Sequence, residues 1–206
     1  MQMHDGMEGY DLEYGKRLVG AARSTIEAYT SSYKFHKSHV EHEVYGLKGE
    51  HGIYVAIMHY PTMEPRGSSF MAELKLQMKD AIVAASIEAC NDERYVPVSH
   101  RELDDIVVEV AIIGEMRQIG GSISEIRKSF EIGKDGLLVE HGYRKAVILP
   151  NPAQEDVSKD DLLEGICISA GIDRNAWKHH KGTKLFAFPA HVFIEKEPRG
   201  IVEEIV

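Results

Sequence analysis

With 206 residues, 43% of them hydrophobic and 28% charged, the chain is long enough to bury a sizeable core and is expected to form one domain, or one domain with a small lobe. Its formal charge of -9 argues against a purely electrostatic grip on nucleic acid over the whole surface, although a local basic patch is compatible with it. Two cysteines, Cys90 and Cys167, give no disulfide framework and point to a reducing cytoplasm; no stretch approaches the ~20 apolar residues of a membrane span, and residues 1–6 lack the pattern of a signal peptide.

Leu18, Ala22, Ile26, Tyr29 and Tyr33 recur at helical spacing and predict a helix over about residues 11–31. A polar, histidine-rich connection follows over 34–50, and residues 52–58 read as a strand buried on both faces. Pro65-Arg66-Gly67-Ser68-Ser69 reads as a turn opening an amphipathic helix whose apolar stripe is Leu74, Met78, Ala81, Ile82, Ala85 and Ala89. Ser99 and Glu102 form a capping box for a short helix ending near Asp105, and residues 106–113 form a long strand with Glu109 inside it. Ser122 and Glu125 form a second capping box, for a helix ending by Ser129.

Two hairpins are then expected, turning at 133–136 and at His141-Gly142, with strands over 130–132, 137–140 and 143–149. Pro150-Asn151-Pro152 breaks the last of these strands. Ser158 caps a helix carrying Leu162, Leu163, Ile166, Cys167 and Ala170, which stops at Gly171; Asp173 caps one more turn, containing Trp177. Residues 185–194 read as a final strand, and the acidic tail beyond is expected to fray. Irregular alternation and late hairpins favour an α+β fold with a mostly antiparallel sheet flanked by helices.

A turn at a helix N-terminus would offer backbone N–H groups, two hydroxyls and an arginine to an anion. Arg66, Gly67, Ser68 and Ser69 are therefore candidate ligand-binding residues. Ser68 reads as a hydrogen-bonding group, because no histidine is near it in sequence except His59 across the preceding loop and no Gly-x-Ser-x-Gly elbow surrounds it. Glu109 alternates with apolar residues and is a candidate acid, base or ion-pair partner of Arg66 or Arg94. Asp92 and Arg94, just past the second helix, read as its caps.

His36, His39, His42 and Glu43 raise a metal site, but no ligand motif supports one and a solvated connector is the simpler reading; no metal or cofactor is assigned. The basic run from Trp177 to Lys184 has the makings of a phosphate contact with a stacking indole, set against a solvated turn with the Trp packed beneath it. Gly133-Lys134-Asp135-Gly136 matches the Gly-x-x-Gly clamp of KH domains only superficially, since here it joins strands.

Several strings, in order, resemble the AMMECR-one family: Asp92-Glu93-Arg94-Tyr95-Val96-Pro97, Glu102-Leu103, Val108-Glu109-Val110, residues 132–139, Leu149-Pro150, Ala170-Gly171-Ile172 with Trp177, and Phe188 with Phe193. The match runs over about residues 12–195 as a single AMMECR-type domain, leaving 196–206 as a tail. The resemblance implies two lobes, the larger drawing on both chain ends, with a cleft between them and no settled activity. It also implies Memo-type or radical-SAM proteins as partners. Against the family signature Leu-Arg-Gly-Cys-Ile-Gly this chain has Pro65-Arg66-Gly67-Ser68-Ser69-Phe70, so Ser68 takes the place of the cysteine.

The leading expectation is a cytoplasmic protein that binds an anionic small molecule, or a modified-nucleotide-like ligand, in the interlobe cleft. Arg66, Gly67, Ser68, Ser69, Arg94 and Glu109 would line the site. The alternatives are a non-catalytic adaptor docked on a protein partner and a nucleic-acid-modification enzyme.

Overall fold

The computed structural model describes residues 7, 9–31, 35–73, 76–179 and 181–206. The elements follow in the order α1 (Leu12–Ser31), a 3-10 turn (Lys37–His39), α2 (Glu41–Val44), β1 (His51–His59), β2 (Pro65–Glu73), α3 (Met78–Cys90), a 3-10 turn (His100–Glu102), β3 (Ile106–Ile113), β4 (Arg117–Ile119) and α4 (Ile123–Lys128). After them come β5 (Asp135–His141), β6 (Arg144–Ile148), a 3-10 turn (Pro152–Gln154), α5 (Lys159–Ser169), α6 (Ala176–His179), β7 (Thr183–Glu195) and β8 (Val202–Glu204). The pairings β1–β2, β1–β3, β4–β7, β5–β6, β5–β7 and β7–β8 are all antiparallel, so the α+β class with mostly antiparallel pairing holds.

The chain divides into two compact units. The first comprises the described residues up to Ile113 together with His191–Ile205. Its core is built by alternation: Ile53, Val55 and Ile57 of β1 and Ile106, Val108, Val110 and Ile112 of β3 turn to one face of the sheet, where they meet Leu18, Ala22 and Ile26 of α1 and Ala81, Ile82, Ala85 and Ala89 of α3. A buried ion pair ties this unit together across the sequence. Arg23 of α1 holds Glu195 at the end of β7 and donates to the carbonyls of Leu103 and Ile106, while Glu195 also accepts the Val108 N–H at 3.0 Å.

The second unit spans Gly114–Ala190 and carries a core of Ile126, Phe130, Leu137, Val139, Leu163, Ile166, Trp177, Leu185 and Ala187. Ser158 caps α5 by accepting the Asp161 N–H, and Gly171 takes φ +68°, the left-handed stop the sequence predicts.

Five expectations change. Residues 65–69 are not a turn at a helix N-terminus but the start of β2, and α3 begins only at Met78. The connection over 34–50 contains a 3-10 turn and α2, because Val40, Val44 and Leu47 are buried in the core. Residues 130–132 are not a strand: Phe130 enters the second core, and Asp135 folds back to accept the Glu131 N–H at 2.8 Å, leaving one hairpin of β5 and β6. Residues 117–119 add β4, which carries too few apolar residues for a strand to be read from the sequence. The acidic tail does not fray at Glu195; it returns as β8 against β7. Expectations that rest on Tyr33, Lys34, Leu74, His180 and residues 1–6 lie outside the described residues.

Candidate functional site

The Ser68 side chain belongs to a row that crosses the first unit's sheet. Ala56 in the middle of β1 stands opposite Ser68 on β2 and opposite Glu109 on β3. Directly opposed residues share a face, so Ser68, Ala56 and Glu109 project together, on the face turned away from α1 and α3. Tyr54, two residues along β1, joins the same face opposite Phe70, with ring centroids 6.4 Å apart. Between the polar groups Ala56 contributes only a methyl group, 6% exposed.

The edge of β2 explains how Arg94 reaches this row. β2 ends the order of strands, so its outward N–H groups have no neighbouring strand. The Asp92 carboxylate accepts one of them, the Ser68 N–H, at 2.9 Å. Arg94 grips the same carboxylate through Nε and Nη2, at 2.9 and 2.5 Å. Nη2 also donates to the Ser68 hydroxyl at 2.7 Å. Burial pushes the Asp92 carboxyl up, but hydrogen bonds from Arg94 and Ser68 outweigh it and hold the group below its ordinary range. The Arg94 guanidinium, 58% exposed, is thereby fixed beside Ser68 with part of its surface open to solvent.

Glu109 stands in contrast. Among the described residues it makes no hydrogen bond and no ion pair, and desolvation alone raises its carboxyl to about 7. The pairing expected with Arg66 or Arg94 is absent, because Glu102 and Asp92 have taken those guanidinium groups. Burial likewise pushes the Tyr54 phenol up to about 12, against an opposing hydrogen-bond contribution from Ser68.

The other predicted residues hold β2 onto its neighbours. Arg66 is 8% exposed and forks onto Glu102, Nε to Oε2 at 2.6 Å and Nη2 to Oε1 at 3.2 Å. Glu102 meanwhile accepts the Ser99 N–H at 2.8 Å, completing the capping box read from the sequence. Ser69 donates to Glu88 of α3 at 2.8 Å. Gly67 lies against the Ala89 carbonyl so closely that a Cβ would collide with it. Asp92 serves the strand edge rather than the end of α3, whose C-cap is Asn91. Tyr54 was missed because the strand around it reads as buried on both faces; only the structure, where it is half-buried among fully buried neighbours, sets it apart.

Elsewhere, the His36 and His39 rings approach to 5.9 Å, while His42 and Glu43 line an open groove with Arg17, Ser24 and Tyr45. Among the described residues no group of three or more His, Cys, Asp or Glu side chains is placed to hold a metal ion. Trp177 is fully buried and so cannot stack on a base. The Cys90 thiol is buried in α3 and pushed up to about 12, which removes it as a nucleophile.

The AMMECR1 family profile matches residues 19–193. The chain belongs to the AMMECR1 family. It is 33% identical over 196 residues to Protein MJ0810 of Methanocaldococcus jannaschii, covering 94% of this chain and 96% of that one. It is equally 33% identical over 194 residues to Protein Mbar_A1807 of Methanosarcina barkeri, covering 92% and 94%. The crystal structure of the uncharacterized protein PH0010 from Pyrococcus horikoshii shares the fold, with TM-score 0.76 and 29% identity over 93% of this chain and 96% of that chain. In this AMMECR1-family chain no described helix is long and apolar enough to cross a membrane. The position that the resemblance aligns with the family cysteine is Ser68, whose hydroxyl oxygen accepts from Arg94.

Proposed function

We propose that the chain is a ligand-binding protein that takes a small anionic molecule on the Ser68–Ala56–Glu109 row of the first unit. The Arg94 guanidinium and the Ser68 hydroxyl receive the anionic group. Glu109, on the next strand but one and about 10 Å from Ser68 across the sheet, meets the far end of the ligand as a protonated hydrogen-bond donor. The observation that carries this reading is Glu109 itself. A desolvated carboxyl with neither hydrogen bond nor ion pair is costly in a fold, and it stands in line with a guanidinium held in place by Asp92. Arg66, Gly67 and Ser69 contribute by fixing the position of β2.

The test is a thermal-shift and calorimetric panel of inorganic phosphate, nucleoside monophosphates, sugar phosphates and small carboxylates. Phosphate-bearing molecules are expected to bind, and Arg94→Ala to weaken them by about 1–3 kcal/mol, as for a partly exposed charged hydrogen bond. The ratio of wild-type to Glu109→Gln affinity for the same ligand should fall as pH rises through about 7, where Glu109 loses its proton, the ligand's own titration cancelling in the ratio. A panel in which nothing binds, or a ligand indifferent to both substitutions, refutes the reading.

A further inference from the structure

The basic run that ends in Lys184 finds its exposed aromatic partner somewhere other than Trp177. Trp177 is fully buried in the second core. The fold instead brings the β5–β6 turn beside the turn that leads into β7. His141 stands opposite both Arg144 on β6 and Thr183 on β7, its Nδ1 lies 2.9 Å from the Thr183 hydroxyl, and Gly182 packs against the same imidazole. One strand position earlier, Glu140 is flanked by Lys145 on β6 and Lys184 on β7, which therefore share a face about 10 Å apart at Cα.

These two adjacent turns expose Lys145, Lys181 and Lys184 beside the single carboxylate of Glu140, with the exposed Arg144 on the alternate face of β6, in a chain whose overall charge is -9. Lys145, Lys181 and Lys184 form no ion pair among the described residues. At the tip stands Tyr143, 90% exposed, with the Arg144 guanidinium 5.8 Å from its ring centroid. Arg144 is itself anchored by donation to the Gly171 carbonyl at the end of α5. So exposed an aromatic buries nothing for the fold, and clustered unpaired lysines repel one another weakly. The cluster has the form of a surface shaped by a partner.

We infer that this tip binds single-stranded nucleic acid, with Lys145, Lys181 and Lys184 meeting successive phosphates and Tyr143 stacking on a base. Lysines alone would serve any polyanion. The exposed phenol, oriented by a guanidinium, is what favours a strand carrying bases, since base–aromatic stacking is sequence-tolerant and adds to the phosphate contacts. The surface belongs to the second unit and stands independently of the Ser68 row.

The experiment is fluorescence anisotropy of the full chain with a labelled single-stranded oligoribonucleotide of about 15 nucleotides, titrated across salt concentrations. Three phosphate contacts predict that log affinity falls by about 2 per tenfold rise in salt. Lys145→Glu with Lys184→Glu should weaken binding about tenfold or more, and Tyr143→Ala about fivefold, with Tyr143→Trp restoring it. A charge-matched control in the first unit, Lys48→Glu with Lys79→Glu, should leave affinity within about twofold, because non-specific attraction to net charge alone is screened over a Debye length. The exposed positions make misfolding of these variants readily checked by circular dichroism. Absence of binding at low salt, or binding untouched by both tip variants, overturns the inference. Equal displacement by poly-glutamate would assign the tip to an acidic protein segment and overturn it as well.

Discussion

Replacing Glu109 by Gln tests the central electrostatic feature of the first unit without requiring any ligand. Burial raises this carboxyl from 4.5 to about 7. The folded chain therefore keeps a proton that the unfolded chain releases near 4.5. Between those two values the native state binds more protons than the unfolded state, so stability falls as pH rises. The contribution is complete below about 4.5 and has been lost once pH has passed through about 7. The full shift corresponds to a ceiling of about 3 kcal/mol. Because the side chain is only half-buried by accessible area, solvent screening reduces the expected effect to about 1–3 kcal/mol. Glutamine keeps the shape and cannot ionise. In urea unfolding at a series of pH values, Glu109→Gln should match the wild type near pH 4.5 and exceed it by that amount at pH 8. The comparison is made as a difference between proteins, so the opposite titrations of Asp92 and Glu102, both held below the ordinary range, cancel. A difference that does not grow with pH would refute the claim that Glu109 is desolvated and unpaired.

Two further substitutions examine how β2 is held. Gly67→Ala sets a methyl group against the Ala89 carbonyl, a rigid backbone atom, and should destabilise by about 2–3 kcal/mol, read from the urea midpoint; a neutral outcome would mean that α3 is free to move off the strand. Arg66→Ala leaves the half-buried Glu102 with only its Ser99 cap and should cost about 2–4 kcal/mol, with Arg66→Lys recovering only part because one ammonium cannot reproduce the fork. Unchanged stability in Arg66→Ala would release that arginine from its framework role and return it to the ligand site.

Much of the fold was legible because local signals agreed with tertiary need. The stripe of Leu18, Ala22 and Ile26, the unbroken apolar run of β3 and the Ser122 and Ser158 caps each have one low-energy reading, and the structure adopts it. The stretch from Pro65 to Ser69 was misread for a physical reason. Proline and glycine punctuate turns, but proline is also tolerated at the first residue of an edge strand, where its missing N–H breaks no ladder. Gly67 answers a close approach of α3 rather than a bend of the chain. The tail was misread because the burial of Glu195 depends on Arg23, which lies far away in sequence and carries no local mark of its role.

The candidate site divides along the same line. Glu109 was visible as a carboxylate inside a hydrophobic strand, and Arg94 and Ser68 were visible as polar residues in two separate strings of the family resemblance. Which of them meet was decided by strand register, and register is fixed by a whole set of pairings rather than by any one residue. A shift of one residue between β1 and β3 would carry Glu109 to the face covered by α1 and α3, where Val108 and Val110 now pack. A carboxylate there would face the full cost of burial among apolar side chains. The present register lowers that cost without abolishing it, leaving Glu109 unpaired beside Ala56, with Ser68 and its oriented arginine on the far side of β1. The hydrophobic pattern of β3 thus does two things at once: it buries the even-numbered residues against the helices and presents the one ionisable side chain of the strand on the other face, in the Ser68 row.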